Sequence, residues 1–292
     1  MKLIADSGST KTTWILLEGD RVKNTITTTG LNPYFHNSAS VESVIRADLA
    51  PYLVEYHLRE IHFYGAGCST AYNNGMIRDA IHVFFRKSHV FIYHDILAAA
   101  RALFSDGKGI ACILGTGCNS CYFDGSKTYS QVNSLGYLFG DEGAGSYLGK
   151  LFLGAYLKKE LPGDLHEAFD TQYGFTLEDI LNSLYNKPSP NRFLASFSHF
   201  LSPNREHPFV QDLLLRSFQD FFNTHIRKYN DYQSLPIGFT GSIANTYSEF
   251  LMKIAKQEGV KITRIIASPV EGLVEYHAKE YPKEKRDEDT QN

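Results

Sequence analysis

Residues 3–17 read LIADSGSTKTTWILL, and this stretch decides the fold prediction. Its first three residues form a short apolar strand, and residues 12–17 form a second strand rich in β-branched and aromatic side chains. The small polar residues between them, 6–11, are typical of a tight turn. A further turn at residues 18–20 leads into an alternating segment over 21–28. We therefore expect three consecutive strands that pair as an antiparallel meander.

The same order of elements recurs over residues 110–132, where an apolar strand, a glycine-bearing turn and two further strands follow one another. The letters match weakly, so the repeat is one of architecture. Strands and helices alternate after both meanders, which predicts an α/β protein of two lobes, residues 1–106 and 107–292. Helices would enlarge the second lobe, and ligands would bind in a cleft between the lobes. The charged segment 283–292 is expected to fray.

The composition excludes several classes of protein. Hydrophobic residues make up 43% and charged residues 21% of the chain, which is typical of a globular fold. A net charge of −3 provides no positive field for nucleic acid or for an anionic membrane. No apolar stretch reaches the about 20 residues that span a bilayer. Four cysteines in 292 residues do not indicate a disulfide framework. We expect a soluble, cytoplasmic protein without a nucleic-acid or membrane partner.

The two turns are candidates for binding phosphate groups. Backbone N–H groups in a turn of small residues can hold phosphate oxygens. We therefore expect the two turns to bind phosphate groups. The residues concerned are Gly8, Thr10 and Lys11 in the first turn and Gly115, Thr116 and Gly117 in the second. Asp6 could hold a hydrated Mg²⁺ ion beside the phosphates. The alternative, that both are ordinary hairpin turns, stays open.

Asp95 follows the apolar strand 90–93 and precedes an alanine-rich helix. A carboxylate at this position could be the general base that takes a proton from a substrate hydroxyl. It could equally be the N-cap of the helix that follows. Both interpretations stay open from the pattern alone.

Residues 134–146, SLGYLFGDEGAGS, are the most distinctive segment. Residues 107–149 hold ten of the 23 glycines, which indicates several turns around a ligand. Asp141 or Glu142, between two glycines, could accept hydrogen bonds from sugar hydroxyls. Gly241-Ser242, between a strand and a helix, would let a flat base or ribose approach the backbone, although such a turn is common.

Cysteine and histidine spacing predicts no metal site. Cys118 and Cys121 form a single C-x-x-C pair, and their thiols would face opposite sides of a strand. The eleven histidines show no spacing typical of metal ligands.

In this order, the segments resemble the sugar kinase/Hsp70/actin superfamily. Asp6–Lys11, Gly115–Gly117 and residues 240–242 are similar to its two phosphate motifs and its adenosine motif. Residues 30–33, 115–119 and 136–143, with Asp95, further resemble the BadF/BadG/BcrA/BcrD ATPase family and its N-acetylglucosamine kinase branch.

The resemblance implies two ribonuclease-H-like lobes, as in actin-like ATPases, with ATP and Mg²⁺ in the cleft. It implies that Asp95 is the base that acts on the 6-hydroxyl of an amino sugar. The implied sugar-binding residues are Asn32, Thr116, Gly136, Tyr137 and Asp141. Thr10 and residues 115–117 would hold phosphates, and Gly241 and Ser242 would border adenosine. The chain departs from the family pattern at Tyr137, where tryptophan is frequent, and at Cys118, where serine is frequent.

The expected activity is ATP-dependent phosphorylation of an amino sugar of the N-acetylglucosamine type. N-acetylmuramic acid and glucosamine are alternative substrates. Two other activities remain open: an ATP-hydrolysing activator of the same fold that holds an iron–sulfur cluster, and a sugar-responsive binding protein. A homodimer formed through the helical second lobe is possible.

Overall fold

The computed structural model describes residues 1–279, which form two compact units. The first contains Met1–Asp106 together with residues 269–279, and the second contains Gly107–Ser268. The expected fraying of 283–292 concerns residues outside the described part of the chain. Over residues 1–279, no helix is both long enough and apolar enough to cross a membrane.

The strands are β1 (Lys2–Ser7), β2 (Lys11–Glu18), β3 (Arg21–Thr29), β4 (Glu60–Gly65), β5 (His89–His94), β6 (Gly109–Leu114), β7 (Cys118–Phe123), β8 (Thr128–Tyr129), β9 (Ile237–Thr240) and β10 (Ile262–Ile266). The α-helices are α1 (Ser38–Val44), α2 (Ala71–Phe84), α3 (Asp95–Phe104), α4 (Gly136–Phe139), α5 (Gly145–Leu157), α6 (Gly163–Tyr173), α7 (Leu177–Tyr185), α8 (Pro190–Ser196), α9 (Ser198–Leu201), α10 (Pro208–Thr224), α11 (Ser242–Thr246), α12 (Ser248–Glu258) and α13 (Val270–Ala278).

Each unit is built on a five-stranded sheet, and the two sheets have the same topology. The first has the order β3-β2-β1-β4-β5, and the second has the order β10-β9-β6-β7-β8. In each, an antiparallel meander is extended by two parallel strands next to its first strand. The architectural repeat predicted from the two meanders is therefore confirmed. Helices α4–α10 lie between β8 and β9 in the chain, so the second unit is the one enlarged by helices.

The core of the first unit lies on the alternating apolar positions of its strands. Leu3 and Ala5 of β1 and Trp14 and Leu16 of β2 are buried in one cluster. Trp14 packs at 5.7 Å, between ring centroids, from Phe63 of β4. Its indole N–H donates to the hydroxyl of Thr28 at 3.1 Å, so the polar atom of this buried ring is satisfied.

The helical part of the second unit is held together by phenylalanine side chains. Phe152 of α5 lies 5.1 Å from Phe169 of α6 and 5.2 Å from Phe200 of α9, between ring centroids. Their rings pack edge-on or tilted, which is the geometry that aromatic quadrupoles favour. Helix α6 was not expected from the sequence, and Phe169 at its centre is fully buried.

Three boundaries differ from the sequence-based expectation. Helix α13 packs on α3 of the first unit, where a Cβ on Gly272 would lie 2.5 Å from the carbonyl oxygen of Ala102. This helix therefore belongs with the first unit and not with residues 107–268. The amphipathic pattern of residues 40–56 predicts one long helix, but in the structure α1 is followed by a π-helical turn and a 3₁₀ turn, where Pro51 lacks the N–H that a continuous helix needs. Asp6 and Lys11, expected in a turn, lie within β1 and β2.

Candidate functional site

The turn between β1 and β2 consists of Gly8, Ser9 and Thr10. The Gly8 N–H donates to the Lys11 carbonyl oxygen at 3.0 Å and closes the turn. Ser7 precedes the turn and Thr12 follows it, and their hydroxyl oxygens lie 2.8 Å apart. Over residues 1–279, the backbone N–H groups of Ser9 and Thr10 donate to no protein acceptor. The turn therefore offers two neighbouring backbone donors to a ligand.

The segment after β3 holds this turn in place. The Gly30 N–H donates to the Thr10 carbonyl oxygen at 3.0 Å, and a Cβ on Gly30 would lie only 2.3 Å from the Gly8 carbonyl oxygen. Asn32 is buried; its Nδ2 donates to the Ser9 hydroxyl at 3.4 Å and its Oδ1 accepts from the Tyr34 N–H at 3.0 Å. Asn32, predicted as a sugar ligand, is therefore held beside the first turn.

Asp95 lies at the carboxyl end of the parallel strands of the first sheet. Ser7 of β1 is in register with Gly65 of β4, and Gly65 is in register with His94 of β5. His94 is the N-cap of α3 and Asp95 is the first residue of the helix, so the alternative in which Asp95 is the N-cap is wrong. Asp95 is half-buried. The first turn, Asn32 and Asp95 therefore lie at the edge of the sheet where ligands of parallel strands generally bind.

The buried thiol of Cys68 lies close enough to Asp95 to be affected by its charge. Burial raises the pKa of the Cys68 thiol to about 12, and the Asp95 carboxylate adds to this shift. Cys68 is therefore a neutral thiol at pH 7 and is not a nucleophile.

The second turn, Gly115–Gly117, connects β6 and β7 and packs on the N-terminus of α5. Gly115 donates its N–H to the Gly117 carbonyl oxygen at 3.0 Å. The N–H groups of Gly145 and Ser146 donate to the carbonyl oxygens of Gly115 and Thr116 at 2.9 and 3.0 Å. In the part of the chain that the structure describes, the N–H groups of Thr116 and Gly117 donate to no protein acceptor. The second turn thus presents the same kind of donor pair as the first.

Asp141 fixes the second turn from behind. Its Oδ1 accepts from the Cys118 N–H at 3.0 Å, and its Oδ2 accepts from the Ser146 hydroxyl at 2.9 Å. A Cβ on Gly117 would lie 2.7 Å from Oδ1, so glycine is needed at this position. Burial raises the pKa of the Asp141 carboxyl, and the donors from Cys118 and Ser146 oppose this rise. A carboxylate has about four lone-pair sites, so both oxygens keep capacity for a further donor.

Gly241 packs directly behind the same turn. Its φ is +117°, and a Cβ would lie 2.2 Å from the carbonyl oxygen of Leu114, the last residue of β6. Ser242 is exposed and begins α11. The predicted adenosine-binding pair therefore adjoins the second turn through Gly241.

Gly136 and Tyr137 lie at the start of the short helix α4. Gly136 has a φ of +67°. Tyr137 is half-buried against the core of the second unit, and its carbonyl oxygen accepts from the Lys150 ammonium group at 3.1 Å. Lys150 was not singled out in the sequence, because a lysine inside a helix carries no local signal.

The structure thus groups the predicted residues by unit. One group lies at or near one edge of the first sheet and consists of Asp6, Gly8, Thr10, Lys11, Asn32 and Asp95. The second group lies around the end of β6 in the second unit and consists of Gly115, Thr116, Gly117, Asp141 and Gly241. Sequence reasoning assigned no role to Ser146, whose hydroxyl donates to Asp141, or to His225, which the tertiary fold brings to Cys118 at the end of the second turn.

The chain is similar to several solved structures. A candidate N-acetylglucosamine kinase from Porphyromonas gingivalis is 41% identical, with 95% of this chain and 99% of that chain covered and a TM-score of 0.91. A candidate N-acetylglucosamine kinase from Chromobacterium violaceum is 18% identical, covers 94% and 98% of the two chains, and has a TM-score of 0.67. A ROK family glucokinase from Streptomyces griseus, in complex with glucose and AMPPNP, is 13% identical, covers 94% and 97%, and has a TM-score of 0.54. No protein-family model and no curated protein matches the chain.

Two sheets of the same strand order, one in each unit, define the actin-like ATPase fold, and the 41% identity to the Porphyromonas gingivalis protein identifies the chain as an enzyme, a sugar kinase. The identity to the Porphyromonas gingivalis protein extends over nearly all of both chains. The chain belongs to the same family of sugar kinases as that protein.

Proposed function

We propose that the protein transfers a phosphoryl group from ATP to the 6-hydroxyl of N-acetylglucosamine or a closely related amino sugar. The observation that carries the proposal is the 41% identity, over 95% of this chain, to a candidate N-acetylglucosamine kinase. The placement of Asp95 supports the reaction chemistry, because it provides a carboxylate at the ligand-binding edge of a sheet.

Asp95 is the general base of the proposed reaction. It accepts the proton of the sugar hydroxyl as the hydroxyl oxygen attacks phosphorus. A positioned base of this kind contributes on the order of 10²–10⁴ to the rate. The remaining catalysis would come from orientation and charge stabilisation, as is general for phosphoryl transfer.

The two turns would hold the phosphates of ATP. Both leave two neighbouring N–H groups without a protein acceptor among residues 1–279, and such groups are what phosphate oxygens require. Gly241 and Ser242 would border the adenosine. ATP, when bound, supplies the phosphoryl group.

Asp6 is the proposed ligand for Mg²⁺. It lies next to the last residue of β1, and its carboxylate provides the oxygen donors that Mg²⁺ prefers. The ion, when bound, would neutralise phosphate charge.

The sugar would be bound by Asn32, Thr116, Gly136, Tyr137 and Asp141. Asn32 is pre-oriented by its bonds to Ser9 and Tyr34, so little entropy would be lost when it binds a hydroxyl. Asp141 is held by Cys118 and Ser146 in the same way. Fixed polar side chains of this kind discriminate well between sugars that have or lack a hydrogen-bonding group.

A sugar panel tests the proposal. ADP release is measured with N-acetylglucosamine, glucosamine, N-acetylmuramic acid and glucose, and the phosphorylated position is read by NMR. We expect the highest kcat/KM with N-acetylglucosamine, a product phosphorylated at O6, and no turnover of 6-deoxy-N-acetylglucosamine. Preference for another sugar, or phosphorylation at another oxygen, would contradict the proposal.

The role of Asp95 is tested by Asp95→Asn. We expect kcat to fall by about 10²–10⁴, because the amide cannot accept the proton, while sugar binding measured by calorimetry stays within a few-fold. The matched control is Asp79→Asn, the same substitution at an exposed position of α2. Near-normal turnover of Asp95→Asn would exclude Asp95 as the base.

A further inference from the structure

Three potential metal ligands meet behind the second turn. Cys118 is the first residue of β7, Glu142 precedes α5, and His225 follows the last turn of α10. The Cys118 Sγ lies 3.4 Å from the His225 Nε2, and that nitrogen lies 3.7 Å from a Glu142 carboxylate oxygen. All three donor atoms lie within 4.8 Å of one another. Cys118 and His225 are buried, and Glu142 is partly exposed.

We propose that Cys118, Glu142 and His225 bind a divalent metal ion, and that Zn²⁺ is the ion whose chemistry fits them. Thiolate, imidazole and carboxylate are the three ligand types that Zn²⁺ takes in proteins. Zinc bond lengths of about 2.3 Å to sulfur and about 2.0–2.1 Å to nitrogen and oxygen place tetrahedral ligands about 3.3–3.6 Å apart. The distances from the His225 Nε2, 3.4 and 3.7 Å, lie close to this range.

The imidazole of His225 is already oriented for such a role. Its Nδ1 lies 3.1 Å from the Ser120 hydroxyl, which in turn lies 2.9 Å from the Tyr229 hydroxyl. The ring stacks on Phe221, with centroids 4.7 Å apart and planes 17° from parallel. With Nδ1–H donating to Ser120, the Nε2 lone pair faces Cys118 and Glu142. Outer hydrogen bonds of this kind are what metal-binding histidines use to fix their tautomer.

The charges also suit a divalent ion. A divalent ion takes histidine as the neutral imidazole and cysteine as the thiolate. Metal binding would release the proton of the Cys118 thiol to solvent as the sulfur–metal bond forms. The resulting thiolate and the Glu142 carboxylate would together balance the two positive charges, which limits the cost of burying the ion.

The proposed ion would link three separate segments of the second unit. The Cys118 N–H is bound by Asp141, and Glu142 is the next residue along the chain. A metal ion bound by Cys118, Glu142 and His225 would therefore connect three segments. These are the end of the second turn, the segment that carries Asp141 and the end of α10. Three protein ligands would leave a fourth position for water.

The test is a titration of the full chain, freed of metal by a chelator, with Co²⁺ as a spectroscopic substitute for zinc. We expect one equivalent to give a thiolate-to-cobalt charge-transfer band, which an equivalent of Zn²⁺ removes. Zinc should also raise the Tm. At a zinc concentration a hundred times the Kd, the expected gain in unfolding free energy is about 2.7 kcal/mol. Absence of the band and of any zinc-dependent change in Tm would overturn the proposal.

Variants identify the ligands. Cys118→Ser and His225→Gln should weaken metal binding at least 100-fold, and circular dichroism checks that each variant is folded. Cys121→Ser is the matched control, since Cys121 belongs to the same strand but not to the cluster. Loss of the band in Cys121→Ser but not in Cys118→Ser would assign the metal elsewhere and overturn the proposal. Sugar phosphorylation is a separate measurement, so failure of the proposed kinase reaction leaves this test intact.

Discussion

Replacement of Gly241 by alanine is expected to destabilise the second unit by more than any ordinary glycine-to-alanine change. Gly241 has φ +117° and ψ 156°, a conformation that is essentially restricted to glycine. Its missing side chain also faces backbone, because a Cβ would lie 2.2 Å from the Leu114 carbonyl oxygen and 2.6 Å from its carbon. Neither atom can move without displacing the end of β6.

The two effects can be given magnitudes. Holding a non-glycine residue in this conformation costs about 1–3 kcal/mol. Forcing an extra carbon into a packed region costs about 1–3 kcal/mol more, and backbone neighbours make the upper part of that range applicable. We expect Gly241→Ala to lose about 4 kcal/mol of unfolding free energy. Since about 1 kcal/mol corresponds to 2–4 °C for a unit of this size, the Tm should fall by about 8–16 °C.

Two other glycines separate the contributions in a thermal-unfolding assay. Gly259 has a φ of +68° with open space around its Cβ, so Gly259→Ala should cost only the conformational part, about 1–2 kcal/mol. Gly154 lies inside α5, also with open space and without a positive φ, so Gly154→Ala should stabilise by up to about 1 kcal/mol. If Gly241→Ala unfolds at the same temperature as Gly259→Ala, the contact with Leu114 is not as the structure has it, and the reasoning is refuted.

Two further outcomes are expected. Gly30→Ala should lower the unfolding free energy by about 1–3 kcal/mol, because its Cβ would meet the Gly8 carbonyl oxygen at 2.3 Å. Gly75 has open space around its Cβ position, so Gly75→Ala should not lower the unfolding free energy. Denaturant titration of the two variants compares these effects. Burial lowers the pKa of His62 below its ordinary value of 6.5, so the unfolded chain binds this proton more readily and stability is lost as the pH falls below about 6.5. His62→Phe should therefore reduce the fall in Tm between pH 7 and pH 5 relative to the unsubstituted protein, as measured by thermal unfolding at both pH values.

Local pattern was sufficient to predict the fold. Apolar alternation and the small residues of two turns predicted the meanders, and these lie in two sheets of the same strand order. Such signals are readable because each strand and turn depends mainly on residues next to one another in the chain. The same reading was wrong where packing decided: α13 is a strand-following helix like the others, yet its contact with α3 assigns it to the first unit.

The roles of individual site residues depend on distant partners, and the sequence could not supply those. It singled out Asp141 for its setting between glycines, but only the fold shows that both its oxygens hold the second turn through Cys118 and Ser146. It left Asp95 with two alternatives, and only the helix geometry excludes the N-cap.

The Cys118–Glu142–His225 cluster is the clearest division between the two sources. The sequence determined that Cys118 follows a glycine turn and that its pairing with Cys121 is unsuited to a metal. It could not indicate His225, because the two residues are far apart in the chain and no spacing rule connects them. Only the packing of α10 against the second sheet brings the imidazole to 3.4 Å from the thiol. Turns are encoded locally, whereas a site assembled from three separate elements exists only once the core that positions them has formed.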